Sequence, residues 1–175
     1  MKKLYVRIIN FLATAGYVGY LPQAPGTWGS LLALVLYGLI FRRLDFNFYL
    51  LFILLTFFGG IFVSGEYDRL HRKHDAAEIV IDEVVGQSLA LTPLFFLPWA
   101  GQGFYVWLAA AFVLFRFFDI VKPLGVRQIQ KIKGGEGVVM DDVLAGVYTI
   151  IVLNILYYSW VYLWFWCGGG RENFY

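Results

Sequence analysis

The chain has 175 residues, a length typical of one domain. It is 60% hydrophobic and only 15% charged, with a mean hydropathy of +0.67; soluble domains are about 45–50% apolar and about 25% charged. This composition indicates a membrane protein and excludes a disordered chain. The net charge of +2 is too small to favour a nucleic acid as partner. The single cysteine, Cys167, excludes an internal disulfide and a cysteine-based zinc site.

Five apolar stretches follow one another along the chain. They cover residues 31–41, 46–64, 84–97, 99–115 and 143–167. A membrane-spanning helix needs about 20 apolar residues, a length that the second, fourth and fifth stretches approach or exceed. The first and third stretches are short. We therefore expect an all-α, polytopic membrane helix bundle of four or five apolar helices, forming one integral-membrane domain over residues 1–175.

Charged residues concentrate in three polar segments, residues 1–28, 65–83 and 116–142. These segments hold 11 of the 14 Lys and Arg residues and 10 of the 12 acids. Cytoplasmic loops carry an excess of Lys and Arg, so we expect three acid-rich cytoplasmic segments. Arg42 and Arg43, in a short loop on the opposite side, argue mildly against this orientation.

Two pairs of adjacent carboxylates, Asp82-Glu83 and Asp141-Asp142, each stand directly before an apolar stretch. One interpretation is helix capping, since a helix N-terminus stabilises negative charge. The other is a divalent-metal site, because clustered carboxylates repel one another unless a cation lies between them. The repetition of the pattern favours the metal site. Mg²⁺ fits best, as a hard cation that takes oxygen ligands.

Two further acids are candidate metal ligands. Glu78 lies four residues before Asp82, so the two would share a face if this segment were helical. Asp75 would lie one turn earlier.

The run Arg116-Phe-Phe-Asp119-Ile-Val-Lys122-Pro123 ends the fourth apolar stretch. It could be an interfacial Arg paired with Asp three residues on. Alternatively, Asp119 is a further metal ligand, while Arg116 and Lys122 bind phosphate. Pro123 is expected to end or kink the helix.

A glycine-rich turn precedes the first apolar stretch. Here Pro25 and Gly26 mark the turn, and Thr27 or Ser30 could cap the helix that follows. The same residues, with Gly29, could instead present N–H groups and hydroxyls to an anion.

Four motifs together resemble the bacterial phosphatidylglycerophosphatase A family. They are Gly26-Thr-Trp-Gly-Ser30, Ile79-Val-Ile-Asp-Glu-Val-Val-Gly86, Arg116-Phe-Phe-Asp-Ile-Val-Lys-Pro123 and Gly137-Val-Val-Met-Asp-Asp-Val-Leu-Ala-Gly146. The resemblance covers about residues 14–150. It implies a Mg²⁺-dependent enzyme of the bacterial cytoplasmic membrane, multi-pass, with its active site facing the cytoplasm. The implied reaction converts phosphatidylglycerophosphate in the bilayer to phosphatidylglycerol and phosphate.

We expect the carboxylates to bind metal and perform catalysis, with one that is not bound to metal, Glu83 or Asp142, as general base; a covalent aspartyl-phosphate through one of the acids stays open. This set is Asp82, Glu83, Asp119, Asp141 and Asp142. The expected substrate-binding residues are Thr27, Gly29, Ser30, Arg116, Lys122 and Lys133. A small membrane transporter with a carboxylate-lined ion site is the alternative, although the acids precede the apolar stretches instead of lying within them. The oligomeric state stays open.

Overall fold

The computed structural model describes residues 2–73, 76–97, 103–122 and 134–167. These residues form six α-helices and no strand, which confirms the all-α class for the part described. The helices are α1 (Lys2–Ala13), α2 (Pro25–Leu39), α3 (Phe46–His71), α4 (Ile81–Ala90), α5 (Gly103–Val121) and α6 (Gly135–Trp166). Short 3₁₀ turns lie at Val18–Tyr20, Phe41–Arg43 and Thr92–Phe95.

Three of these helices are long and apolar enough to cross a membrane. They are α3, α5 and α6, with 26, 19 and 32 residues. By contrast, α2 has 15 residues and α4 has 10. At 1.5 Å per residue these two span only about 22 Å and about 15 Å, short of a hydrocarbon core of about 30 Å. The structure therefore provides three spanning candidates by length and composition, where the sequence predicted four or five.

The short helices nevertheless run between the same two ends of the bundle as the long ones. At the start of α2, Ser30 meets Arg116 near the end of α5. In its last turn, Tyr37 packs against Tyr49 near the start of α3 and Phe104 at the start of α5. The first of these ends carries the starts of α2, α4 and α6 and the ends of α3 and α5. We call it the site end.

Helix α4 is enclosed by its neighbours. It contacts α2, α3, α5 and α6, and most of its residues are buried. Glycines allow α4 and α6 to approach closely: a Cβ on Gly86 would lie 2.5 Å from the Asp142 carbonyl oxygen and 2.7 Å from the Phe115 ring. A Cβ on Gly146 would lie 2.7 Å from the Gly86 carbonyl oxygen. Small residues at this crossing thus bring the two acid-bearing helices together.

Gly86→Ala is expected to destabilise the protein by about 1–3 kcal/mol, because the added methyl group overpacks this crossing against backbone. The measurement is thermal unfolding in detergent. Gly59→Ala on α3 is the matched control, since a Cβ there meets nothing within 4 Å. Equal melting temperatures for the two variants would contradict the proposed role of the close approach.

Helix boundaries differ from the sequence expectations at two motifs. Helix α6 begins at Gly135, so Asp141 and Asp142 lie in its second turn and not before it. Helix α2 begins at Pro25, with Ala24 as its N-cap residue, so the prediction that Thr27 or Ser30 caps it is wrong. Of the two acid pairs, only Asp82-Glu83 occupies a first turn, that of α4. Capping therefore accounts for one acid pair at most.

A candidate metal and phosphate site

Three carboxylates from two helices form a cluster at the site end. One oxygen each of Asp82, Glu83 and Asp142 lies within 4.8 Å of the other two. Asp82 and Asp142 are only 7% and 4% exposed. The first turn of α4 supplies two of these acids and the second turn of α6 supplies the third. The close approach at Gly86 holds the two turns side by side.

Neighbouring groups compensate the negative charge of the acid cluster only in part. Asp82 Oδ1 and Glu83 Oε2 are buried and have no hydrogen-bond partner among the described residues. Burial raises the pKa of Glu83 to about 7; the Asp119 charge adds to the rise and Arg116 opposes it. Burial also raises the pKa of Asp82 well above its ordinary value, and the charges of Glu83 and Asp142 raise it further. A cation between these oxygens would offset both the free-energy cost of burying the carboxylate charges and the repulsion between them.

Two basic side chains near the end of α5 lie next to the acids. Arg116 Nη1 is 2.7 Å from Asp119 Oδ2 and donates to Ser30 Oγ at 3.3 Å. Its Nε is buried without a partner in the described part of the chain. Lys122 Nζ donates to Asp141 Oδ2 at 2.7 Å. Burial lowers the pKa of Lys122, but the bond to Asp141 and the charges of Asp141, Asp142 and Asp119 together outweigh burial, so the pKa is raised.

These pairings divide the five predicted acids into two groups. Asp119 and Asp141 are ion-paired to Arg116 and Lys122, whereas the other three acids form the cluster. The described part of the site thus has a formal surplus of three negative charges. Its donors are all carboxylate oxygens, the ligands that Mg²⁺ takes, and there is no sulfur or imidazole among them. The donor set and its unpartnered oxygens fit Mg²⁺.

The glycine-rich turn forms one wall of the site. A Cβ on Gly26 would overlap the Glu83 carboxylate and lie 3.2 Å from Arg116 Nη1. A Cβ on Gly29 would lie 2.9 Å from the Val80 Cβ and carbonyl oxygen, so this glycine serves the packing of α2 on α4. Ser30 donates to the Gly26 carbonyl and accepts from Arg116. The half-buried Thr27 lies in the first turn of α2, its N–H bonded to the Ala24 carbonyl.

The remaining predicted residues lie apart or outside the described part. Glu78 precedes α4 and pairs with Lys73 at 2.9 Å, so it does not share a helix face with Asp82. Asp75 and Lys133 lie outside the described residues.

The sequence analysis did not single out Gln87. This residue is fully buried, and neither amide atom has a partner within the described ranges. It lies four residues after Glu83, hence on the same face of α4 and one turn deeper. The sequence did contain a signal for this residue: it is a lone amide in an apolar stretch, and such a group costs free energy to bury without a partner.

Comparison with known proteins identifies the family of the chain. The profile of the phosphatidylglycerophosphatase A family matches residues 11–157. A Haemophilus influenzae protein named phosphatidylglycerophosphatase A is 37% identical over 151 residues, which cover 86% of this chain and 89% of the relative. The Escherichia coli K12 protein of that name is 32% identical over 152 residues, covering 86% and 84%.

A third relative, from Bacteroides thetaiotaomicron, is named "Putative phosphatidylinositol-3-phosphatase". It is 42% identical over 142 residues, covering 78% of this chain and 86% of the relative. No solved structure matches the chain. Asp82 and Glu83 of the motif Ile79–Gly86 and Asp142 of the motif Gly137–Gly146, two of the four motifs that carried the resemblance, meet in one cluster in the structure. The chain belongs to the phosphatidylglycerophosphatase A family and is a phosphatase.

Proposed function

We propose that this phosphatase hydrolyses phosphatidylglycerophosphate to phosphatidylglycerol and phosphate, using Mg²⁺, at the cytoplasmic face of a bacterial inner membrane. The observation that carries the proposal is the buried cluster of Asp82, Glu83 and Asp142 beside two fixed cations, in a chain of this family. The carboxylates would bind a divalent ion. Arg116 and Lys122 would bind a phosphate dianion, which the acids alone would repel.

The reaction is a displacement at phosphorus by water. The water oxygen bonds to phosphorus, the bond from phosphorus to the glycerol oxygen breaks, and the alcohol takes up a proton. Arg116 is the main binder of the phosphoryl oxygens, because Asp119 and Ser30 hold its guanidinium in place while its Nε stays unpartnered. Lys122, held by Asp141, adds a second positive charge.

Glu83 is our candidate for the general base. Glu83 is the member of the acid cluster that lies against the Gly26 wall, and its Oε2 is unpartnered among the described residues, so it can accept a proton there. Asp82 and Asp142 would hold Mg²⁺, and Glu83 beside them would accept the proton of the attacking water. When bound, the ion supplies positive charge that offsets the charge of the phosphoryl oxygens.

The charge distribution supports a cytoplasmic site. The described parts of the three polar segments lie at the site end and hold eight Lys and Arg residues: Lys2, Lys3, Arg7, Arg69, Arg72, Lys73, Arg116 and Lys122. Arg42 and Arg43 lie at the opposite end. The excess of positive charge at the site end is typical of the cytoplasmic side.

The first test is phosphate release from phosphatidylglycerophosphate by detergent-purified protein, with Mg²⁺ and then with EDTA. We expect release with Mg²⁺, loss of release in EDTA, and recovery when Mg²⁺ is restored. Phosphatidic acid is the comparison substrate and should be hydrolysed more slowly. Since micelles have no sealed compartment, activity there also separates an enzyme from a transporter. Full activity in EDTA would contradict the proposed metal.

A second substrate follows from the name of the Bacteroides relative. Phosphatidylinositol 3-phosphate is also a phosphomonoester on a membrane lipid, so its phosphate would meet the same acids and cations. The same assay with this lipid gives a second kcat/KM value. A higher kcat/KM for the inositol lipid would make that lipid the proposed substrate, and the proposed roles of the site residues would stay the same.

A further inference from the structure

Helix α1 has three distinct faces. Ile9 and Ala13 are buried against α3, next to Val63 and Tyr67. On a second face, apolar residues spaced three and four apart are exposed, with Leu4 at 64% exposure. This apolar face consists of Leu4, Ile8, Phe11 and Leu12.

The third face is basic. Lys2, Lys3 and Arg7 are all exposed, and with Val6 they line a surface recess of about 350 Å³. Lys3 and Arg7 lie one turn apart along one edge of the apolar face, since Arg7 is about 40° around the helix from Phe11. A helix with exposed apolar and basic faces is typical of a segment lying in a membrane interface.

The apolar face of α1 continues the exposed surface of a spanning helix. Leu12 borders a cavity of about 270 Å³ together with Leu55, Gly59 and Val63 of α3. On α3, Leu55, Phe58 and Phe62 are exposed, Phe58 at 66%, as expected of a surface facing lipid. A helix of 12 residues spans only about 18 Å, so α1 is too short to cross the bilayer itself.

Contacts at both ends of α1 fix its orientation. The Tyr5 hydroxyl donates to Glu66 at 2.5 Å, and Asn10 Oδ1 lies 2.9 Å from His71 Nε2. The Ala13 carbonyl accepts from the N–H of Val80, the residue that precedes α4 and its acids. Helix α1 is thus held at the site end of α3 and connected through one hydrogen bond to the start of α4.

From these observations we infer that α1 is an interfacial helix that binds the surface of an anionic bilayer. Leu4, Ile8, Phe11 and Leu12 enter the boundary of the acyl region, and the basic face attracts anionic headgroups. Continuity with the exposed surface of α3 favours lipid over a second copy of the chain as the occupant. The inference does not depend on which phosphate ester the enzyme hydrolyses.

The orientation of α1 is tested with single labels in nanodiscs. In a Cys167→Ser background, Leu4→Cys and Lys3→Cys each carry an environment-sensitive fluorophore. A nitroxide-bearing lipid should quench the label at position 4 at least threefold more than the label at position 3, and aqueous iodide should show the reverse order. Equal quenching of the two labels would overturn the inference. Shielding of position 4 from both quenchers would assign the face to a second protein copy.

The charge contribution is tested by raising the phosphatidylserine fraction of the nanodiscs, a lipid that is neither substrate nor product of the proposed reaction. Lipid quenching at position 4 should increase with that fraction. The combined Lys2→Gln, Lys3→Gln and Arg7→Gln variant should lose at least half of the increase. Arg42→Gln with Arg43→Gln, at the opposite end, is the matched control and should retain it. An increase unaffected in the triple variant would overturn the role of the basic face. Because the readout is quenching, it does not depend on catalytic activity.

Discussion

Asp142→Asn and Asp82→Asn are each expected to lower phosphatidylglycerophosphate turnover by on the order of a thousandfold. Each removes one charge from the three-carboxylate cluster and changes the volume of the side chain little. The measurement is kcat/KM in detergent at saturating Mg²⁺. Asp45→Asn is the matched control, since Asp45 is exposed at the opposite end of the bundle and should leave kcat/KM unchanged.

Melting temperature distinguishes loss of the metal from loss of the fold. Mg²⁺ should raise the melting temperature of the wild-type protein, because an ion that binds only the folded state stabilises it. Either Asn variant should lose this rise. In EDTA its melting temperature should equal or exceed that of the wild type, since one buried like charge is gone. A variant that keeps the Mg²⁺-dependent rise would show that its acid does not bind the ion.

Gly26→Ala is expected to lower turnover by about a hundredfold, because displaced catalytic groups lose near-attack geometry. Its Cβ would overlap the Glu83 carboxylate and crowd the Arg116 guanidinium. These are the far ends of flexible side chains, so the melting temperature should change little while the site is displaced.

Gly38→Ala on the same helix is the control, since a Cβ there meets nothing within 4 Å. It should keep wild-type kcat/KM. Equal activities for Gly26→Ala and Gly38→Ala would show that the Gly26 wall does not shape the site.

The acid cluster was predictable because residue types and their positions in the sequence are enough to indicate it. Two pairs of adjacent carboxylates at the borders of apolar stretches predict a cation site, and Asp82, Glu83 and Asp142 do meet. Of the other two acids, only the pairing of Asp119 was predictable: Arg116 lies three residues before it on α5, the spacing that the sequence analysis gave as one interpretation. The pairing of Asp141 with Lys122 joins α6 to the residue that follows α5, and no local pattern sets it.

The fold was predicted less completely than the acid cluster. Apolar length identified the three long helices correctly. Helix α1 was not predicted. The lysines and the arginine in MKKLYVRIINFLA led to its classification as part of a polar segment, so the helical spacing of Leu4, Ile8 and Phe11 was overlooked. The start of α6 was misplaced because Gly134, Gly135 and Gly137 read as a loop. In the structure, close contact between Gly135 and the backbone of Ile61 and Gly65 fixes the helix start, and that contact is tertiary.

The short length of α4 also bears on how the protein enters its membrane. Helices α3, α5 and α6 are apolar enough to insert as independent units, the first of two stages in the folding of a helical membrane protein. Helix α4 has 10 residues and carries two acids in its first turn, so it gains little from lipid alone. It must therefore take its place late, by docking against helices already inserted. Asp82 and Glu83 meet Asp142 only in that last step, so an incompletely assembled chain would lack the proposed metal site.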